Sequence, residues 1–231
     1  MSSSTTEVFA AEQASKLLRR LASQIARTLK RHSAKEVHDL RVAIRRFMCV
    51  LVVLKPCFPR NESRKIRRKL KKIMAQAGGV RDRDIAVQLI GKVAPSQASP
   101  LVRGVRAERD EAAKALTVLL KRWEGRNLST KWREALEGES SVKEFGVDPV
   151  EATAKRMLLR MAKEYFRSGE EAARENASAE ELHRFRIAGK KFRYTLDLFA
   201  PLYGASTNGL IQQLKTIQTL LGDINDCATV Q

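Results

Sequence analysis

Apolar residues recur along this chain at the three-and-four spacing of amphipathic helices, and the cationic residues fall on the other faces. From about Glu12 to Arg31, Leu17, Leu18, Leu21, Ile25 and Leu29 define one side, while Lys16, Arg20, Ser23 and Arg27 define another. A break at His32 and Ser33 leads into HDLRVAIRRFMCVLVVLKP, which runs from His38 to Pro56. At about 100° per residue, this segment puts Leu40, Phe47, Leu51 and Leu54 on a core side. Opposite them His38, Arg41, Arg45 and Cys49 form a stripe, with Arg46 on its shoulder. Pro56 and Pro59 end the helix, because proline has no amide hydrogen to continue the ladder.

A third helix is predicted with Asn61 as its N-cap, Ile66, Leu70, Ile73 and Met74 as its core side, and Gly78 and Gly79 as its stop. Its outer surface carries the densest cationic run of the chain, Arg64, Arg67, Arg68, Lys71 and Lys72. VRDRDIAVQLI then opens another helix, with Asp82 and Asp84 at the positive end of its dipole. Gly91 to Pro100 reads as a loop, and Leu101 to Trp123 as a helix with Val102, Leu116 and Leu120 inward. Residues 125–148 are polar and glycine-bearing, with one short turn near Trp132 to Leu136, and read as a linker.

The same grammar then returns. After Pro149 a helical pattern through Met157, Leu158, Met161, Tyr165 and Phe166 carries Arg156, Arg160, Lys163 and Arg167 on another face. HRFRIAGKKFRYTLDLFAP follows the first ladder by 145 positions. Here His183, Arg186, Lys190 and Tyr194 make the stripe and Lys191 the shoulder, with Phe185, Phe192, Leu196 and Phe199 buried. Further on, at an offset of 144, Lys71 matches Lys215, Gly78 matches Gly222 and Asp82 matches Asp226. The expectation is an all-α protein of two four-helix bundles related by a pseudo-two-fold axis through internal duplication. Residues 1–10 are expected to be disordered, 11–124 to form the first bundle, 125–148 the linker and 149–231 the second bundle. Because the sequence stops at Gln231, the second bundle is expected to lack its last helix. Either it borrows a partner, such as a second copy of the chain in a homo-oligomer, or the sequence is a truncated form.

Composition changes the picture through charge. Against 26 acidic residues stand 44 Lys and Arg, giving a formal net charge of +18 and a pI near 10.3, so the partners sought are polyanions. No apolar run is long enough to span a membrane, and the start MSSSTTEVFA has no secretory pattern, so a cytoplasmic protein without a membrane partner is expected. Cys49, Cys57 and Cys227 form no CxxC pair and no zinc spacing, so neither a metal nor a cofactor is expected.

Stacked like charges on a helix face cost a few tenths of a kcal/mol per pair. That the cost recurs in both ladders points to a ligand that offsets it. Guanidinium groups match phosphate oxygens in a forked geometry, and an imidazolium donates from both ring nitrogens. The stripe from His38 to Cys49 would be about 16 Å long, a reach that suits a linear phosphate chain.

HxxRVxxRR with GxxRDxD in the first half, and HxxRIxxKK with LKxIQxxLGDIND in the second, resemble the CHAD domain, the conserved-histidine α-helical domain, over nearly the whole chain from about residue 11. The resemblance implies two four-helix bundles with a basic groove between them that binds inorganic polyphosphate. It implies that His38, Arg41, Arg45, Arg46 and Lys71, with His183, Arg186, Lys190, Lys191 and Lys215, line that groove. Arg20, Arg27, Arg64, Arg68, Lys72, Arg156, Arg160, Lys163, Arg193 and Tyr194 are further candidates. Lys190 and Lys191 stand where the first half has arginines, which keeps charge but removes forked contacts. Members of this family often accompany a CYTH-type triphosphate-processing domain, and without such a region a stand-alone binder, associated with polyphosphate granules, is expected.

Two other functions compete. Asp82, Asp84, Asp223 and Asp226 could hold metal for a phosphohydrolase of phosphate chains, but the sequence has no GxxxxGK loop and no HExxH, so no enzyme is expected. Nonspecific nucleic-acid binding shares the charge argument but lacks an aromatic stacking platform.

Overall fold

The computed structural model describes residues 5–93, 100–137 and 148–229, with the backbone alone at 93, 223 and 225–229. Among the described residues it is all-helical, with eight α-helices, two 3₁₀ turns and one isolated bridge between Thr5 and Pro149. No helix among them is long and apolar enough to cross a membrane. The chain divides into two compact units, Ala10–Val142 and Lys143–Gln231 with Met1–Phe9.

In the N-terminal unit, α1 (Thr6–Arg31) and α2 (Ala34–Val53) are joined through His32 and Ser33. His32 takes a positive φ of 27°, its Nε2 lies 2.8 Å from Thr117 Oγ1, and its carbonyl accepts from Arg109 Nη2. A 3₁₀ turn (Lys55–Cys57) leads to α3 (Arg60–Val93), followed by α4 (Pro100–Gly125) and α5 (Leu128–Glu137). Leu21, Ile25, Leu40, Ile44, Phe47, Leu51, Ile66, Leu70, Leu116 and Leu120 are fully buried, so the apolar stripes of the sequence are the core.

Three expectations about α3 need correction. Gly78 and Gly79 do not stop the helix, which runs through them without a positive φ. Each interior glycine costs about 1 kcal/mol in helix propensity. At Gly78 the reason is a close approach, since a Cβ there would lie 3.0 Å from Arg41 Nη1. Asn61 is not the N-cap, because α3 already begins at Arg60, with Ser63 N–H donating to the Pro59 carbonyl at 2.9 Å. Asp82 and Asp84 consequently lie inside α3, away from its dipole end. Asp84 instead takes Arg109 Nε of α4 at 3.1 Å, with the two side chains only 10% and 17% exposed.

The segment expected to be a linker contains α5. Trp132 is buried, stacking on Phe47 at 6.4 Å between centroids and meeting Trp123 edge-on at 4.2 Å. One amphipathic turn was expected near it; the helix has ten residues, because both Trp132 and Leu136 find core to bury in.

The C-terminal unit contains α6 (Val150–Ala172), α7 (Ala179–Tyr203), a 3₁₀ turn (Gly204–Thr207) and α8 (Asn208–Thr229). α7 runs through Pro201 to Tyr203 and ends at Gly204 with a φ of 59°. Tyr165 centres this core, with its ring 5.1 Å from Phe185 and 5.6 Å from Phe192, beside Leu196, Ile211 and Leu214. Residues 5–10, expected to be disordered, are ordered. Thr6 Oγ1 donates to the Asp148 carbonyl at 2.8 Å, and Phe9 stacks on Phe199 at 5.7 Å. Residues 1–4 lie outside the described residues.

Removing one member of a largely buried ion pair strands its partner. Asp84→Ala is therefore expected to lower unfolding free energy by about 3 kcal/mol in urea titration, and Asp82→Ala, which is exposed, by less than about 0.5 kcal/mol. Equal effects would contradict the assignment.

Candidate functional site

Both ladder helices start from the same device. Ser33 Oγ accepts the Glu36 amide and its hydroxyl meets the Glu36 carboxylate, which holds that carboxyl below its usual range. Ser178 and Glu181 form a complete capping box, in which the Ser178 amide donates to Glu181 Oε2 at 2.7 Å and the Glu181 amide donates to Ser178 Oγ at 3.2 Å. The S-x-x-E signal stands in the sequence at the same 145-residue offset as the ladders.

In the N-terminal unit, α2 buries Val37, Leu40, Ile44, Phe47, Val50 and Leu51 and leaves a basic face outside. His38 is exposed, in the second turn. Crowding around its ring, and then the charges of Arg81, Arg45 and Arg41, hold the imidazole below its ordinary range; Asp39 pulls the other way. Asp39 is also occupied by Lys35 Nζ at 2.6 Å. Arg41 crosses to α3, where its Nη1 lies 3.5 Å from the Met74 carbonyl and passes over Gly78. The charges of Arg41 and Arg45 on α2 and of Arg81 on α3 are thus all felt at His38. Arg81 belongs to the GxxRDxD pattern, but on another helix, and helical spacing alone did not bring it into the candidate set.

Arg46 turns to the other side of α2. With Arg20 and Arg27 of α1 it lines a cleft of about 340 Å³, together with Leu17, Val42 and Ala43. Lys71, Arg64, Arg68 and Lys72 form an exposed cationic run along α3.

In the C-terminal unit, His183 is exposed near the start of α7, while Arg186 and Lys190 are half-buried. Arg186 Nε is buried without a hydrogen-bond partner among the described residues. Lys191 is exposed and pairs with Glu164 Oε1 of α6 at 3.1 Å. Lys215 on α8, and Arg160 and Lys163 on α6, are exposed; Arg156 pairs with Asp148 at 3.6 Å.

Two candidates turn inward. Tyr194 is buried, and Arg193, only 11% exposed, lies over its ring at 4.4 Å. Arg193 Nη1 pairs with Asp197 at 3.3 Å and Nε donates to Gln218 Oε1 at 2.8 Å. The cause is burial all round the second half of α7, where Phe192, Tyr194, Thr195, Leu196, Leu198 and Phe199 are all covered. A helical wheel assumes one wide wet face, and between Phe192 and Phe199 no residue of α7 is fully exposed. Lys191 and Arg193 thus each meet a carboxylate, Glu164 and Asp197 respectively. The side chains of Asp223 and Asp226 lie outside the described residues.

The chain is similar in structure to the crystal structure of the CHAD domain from the plant Ricinus communis, at 20% sequence identity and a TM-score of 0.69, over 97% of this chain and 76% of that one. No curated protein matches it. The family model for the CHAD domain matches residues 12–231, and with a match of that extent the chain belongs to the CHAD domain family.

Proposed function

We propose that this chain binds inorganic polyphosphate, without catalysis, through the basic faces of α2 and α7. The observation that carries the reading is the seating of Arg41 against α3 at Met74 and Gly78, with its charge and those of Arg45 and Arg81 acting on His38. Three guanidinium groups near one imidazole raise each other's electrostatic energy, and a chain of phosphates relieves that repulsion while supplying forked acceptors. Membership of the CHAD family, linked to polyphosphate binding, favours this ligand over other polyanions. His183, Arg186 and Lys190 supply the corresponding cations on α7. The expected setting is the cytoplasm, where polyphosphate granules collect the ligand.

A binder is favoured over a phosphohydrolase by Asp84, whose carboxylate is engaged by Arg109 rather than turned to a metal. Nucleic acid is the competitor for a surface of this charge. Calorimetric titration with long-chain polyphosphate and with single-stranded DNA of equal charge, at two salt concentrations, separates them. Polyphosphate is expected to bind more tightly at both; equal affinities at both would leave only a generic basic surface.

Position matters as well as charge. Arg41→Ala is expected to weaken polyphosphate binding about tenfold or more, the worth of a charge-assisted hydrogen bond. Gly78→Ala crowds the Arg41 guanidinium and is expected to weaken binding without loss of stability. Gly79→Ala, whose nearest neighbour is at an ordinary 3.6 Å, serves as the control. Equal binding by the two glycine variants would show that the Arg41 contact with α3 has no part in recognition.

The pH dependence has a definite sign. In the free protein His38 is held below its ordinary value of about 6.5, so it is neutral at pH 7. A bound polyanion offsets the fields of Arg81, Arg45 and Arg41 and raises that pKa, so binding takes up a proton. Affinity is expected to rise as pH falls from about 7 through the range in which His38 titrates, and His38→Ala to flatten that part of the profile. An unchanged profile in His38→Ala would assign the histidine a structural role.

A further inference from the structure

The seam between α7 and α8 carries polar residues where the matching residues of the N-terminal unit are apolar. At the 145- and 144-residue offsets of the repeat, Ile44, Met48, Val52 and Met74 match Gly189, Arg193, Asp197 and Gln218. Gly189, Arg193 and Asp197 recur every four residues and so share one side of α7. Arg193 is committed within this set, pairing with Asp197 at 3.3 Å and donating through Nε to Gln218 Oε1 at 2.8 Å. That bond fixes the sense of the Gln218 amide. Its oxygen is the acceptor, and its Nε2 is turned toward α7, 3.8 Å from where a Cβ on Gly189 would lie. Gln218 Nε2 is buried and has no hydrogen-bond partner among the described residues, and the same holds for Arg186 Nε, one turn before Gly189 on α7. Covered donors that face no acceptor are a standing cost, because burial forfeits their bonds to water.

We propose that Gln218 is a phosphate-binding residue of the α7 face, its Nε2 and Arg186 Nε donating together to one phosphate group of the chain beside Gly189. The inference rests on the polyphosphate reading above and deepens it, since it adds a neutral, directional donor to a face otherwise read through its charge. Gly189 supplies the room, where the first half has the fully buried side chain of Ile44. Both donors are covered in the free chain, so the phosphate enters as the half-buried Lys190, the next residue along α7, turns outward to its other oxygens. Arg193, held by Asp197 and lying over the Tyr194 ring at 4.4 Å, stays in place and keeps the amide oriented.

Calorimetric titration of the full chain with long-chain polyphosphate, alongside urea unfolding, tests this. Gln218→Glu keeps an oxygen for Arg193 and replaces the donor by an acceptor, so affinity is expected to fall about tenfold or more while stability is held. Gln213→Glu, at an exposed position of the same helix, makes the same change of charge and is expected to stay within about twofold. Gln218→Met, which installs the residue of the first half, is expected to lose about fivefold and serves if Gln218→Glu does not fold. In nitrogen-resolved NMR spectra of the wild-type chain, the Gln218 side-chain amide is expected to shift as the ligand saturates. The inference is overturned if Gln218→Glu and Gln213→Glu lose equally, or if the Gln218 amide does not move while polyphosphate binds, which would leave the donor to an ordered water. A wild-type chain that binds no polyphosphate overturns the broader reading together with this one, whereas unchanged binding by both Gln218 variants overturns this one alone.

Discussion

The passage of Arg41 over the backbone of α3 at Gly78 is the contact on which the site depends. A guanidinium in water samples many rotamers; this one is held with Nη1 within 3.5 Å of the Met74 carbonyl because Gly78 presents no Cβ to push it away. Holding it there keeps positive charge beside His38 and Arg81, a repulsive arrangement that the protein tolerates only because α2 and α3 are fixed by Leu40, Ile44, Phe47, Ile66 and Leu70 beneath. Rigid placement matters for a flexible polyanion. Each cation already in position is one whose side-chain entropy is not lost again on binding.

The two ladders are alike in sequence and different in state. Where Arg41 lies against Gly78, a Cβ at the matching Gly222 would meet nothing within 4 Å among the described residues, and Arg186 keeps a buried Nε without a hydrogen bond among them. Lys190 and Lys191 replace arginines, and Lys191 is engaged by Glu164 across an exposed pair, which is worth at most about 1 kcal/mol. The N-terminal face is thus the more pre-organised, and the face on α7 is more open to rearrangement by a ligand.

Much of this was legible in the residues. Apolar spacing located the helices and their buried sides, since Leu40, Phe47 and Leu51 on α2 and Phe192, Leu196 and Phe199 on α7 are core as expected. The paired motifs identified the family. Features set by tertiary contact were not legible. Gly78 looks like part of a helix stop until Arg41 is seen packed against it, and Tyr194 looks solvent-facing until the residues around it from Phe192 to Phe199 are seen to be largely covered. Arg81 was missed because its relation to His38 runs between helices. The helix holding Trp132 was obscured by its polar, glycine-bearing surroundings, although Trp132 and Leu136 stand one turn apart. The capping serines, Ser33 and Ser178, were readable from their glutamates three residues on.

The central claim is that a phosphate chain settles among Arg41, Arg45 and Arg81 and changes the charge state of His38. Nitrogen-detected NMR of the histidine rings during titration with long-chain polyphosphate near neutral pH reads this directly. The account predicts that the His38 ring nitrogens move to imidazolium positions as the ligand saturates. A His38 ring that stays neutral while polyphosphate binds to completion would contradict it.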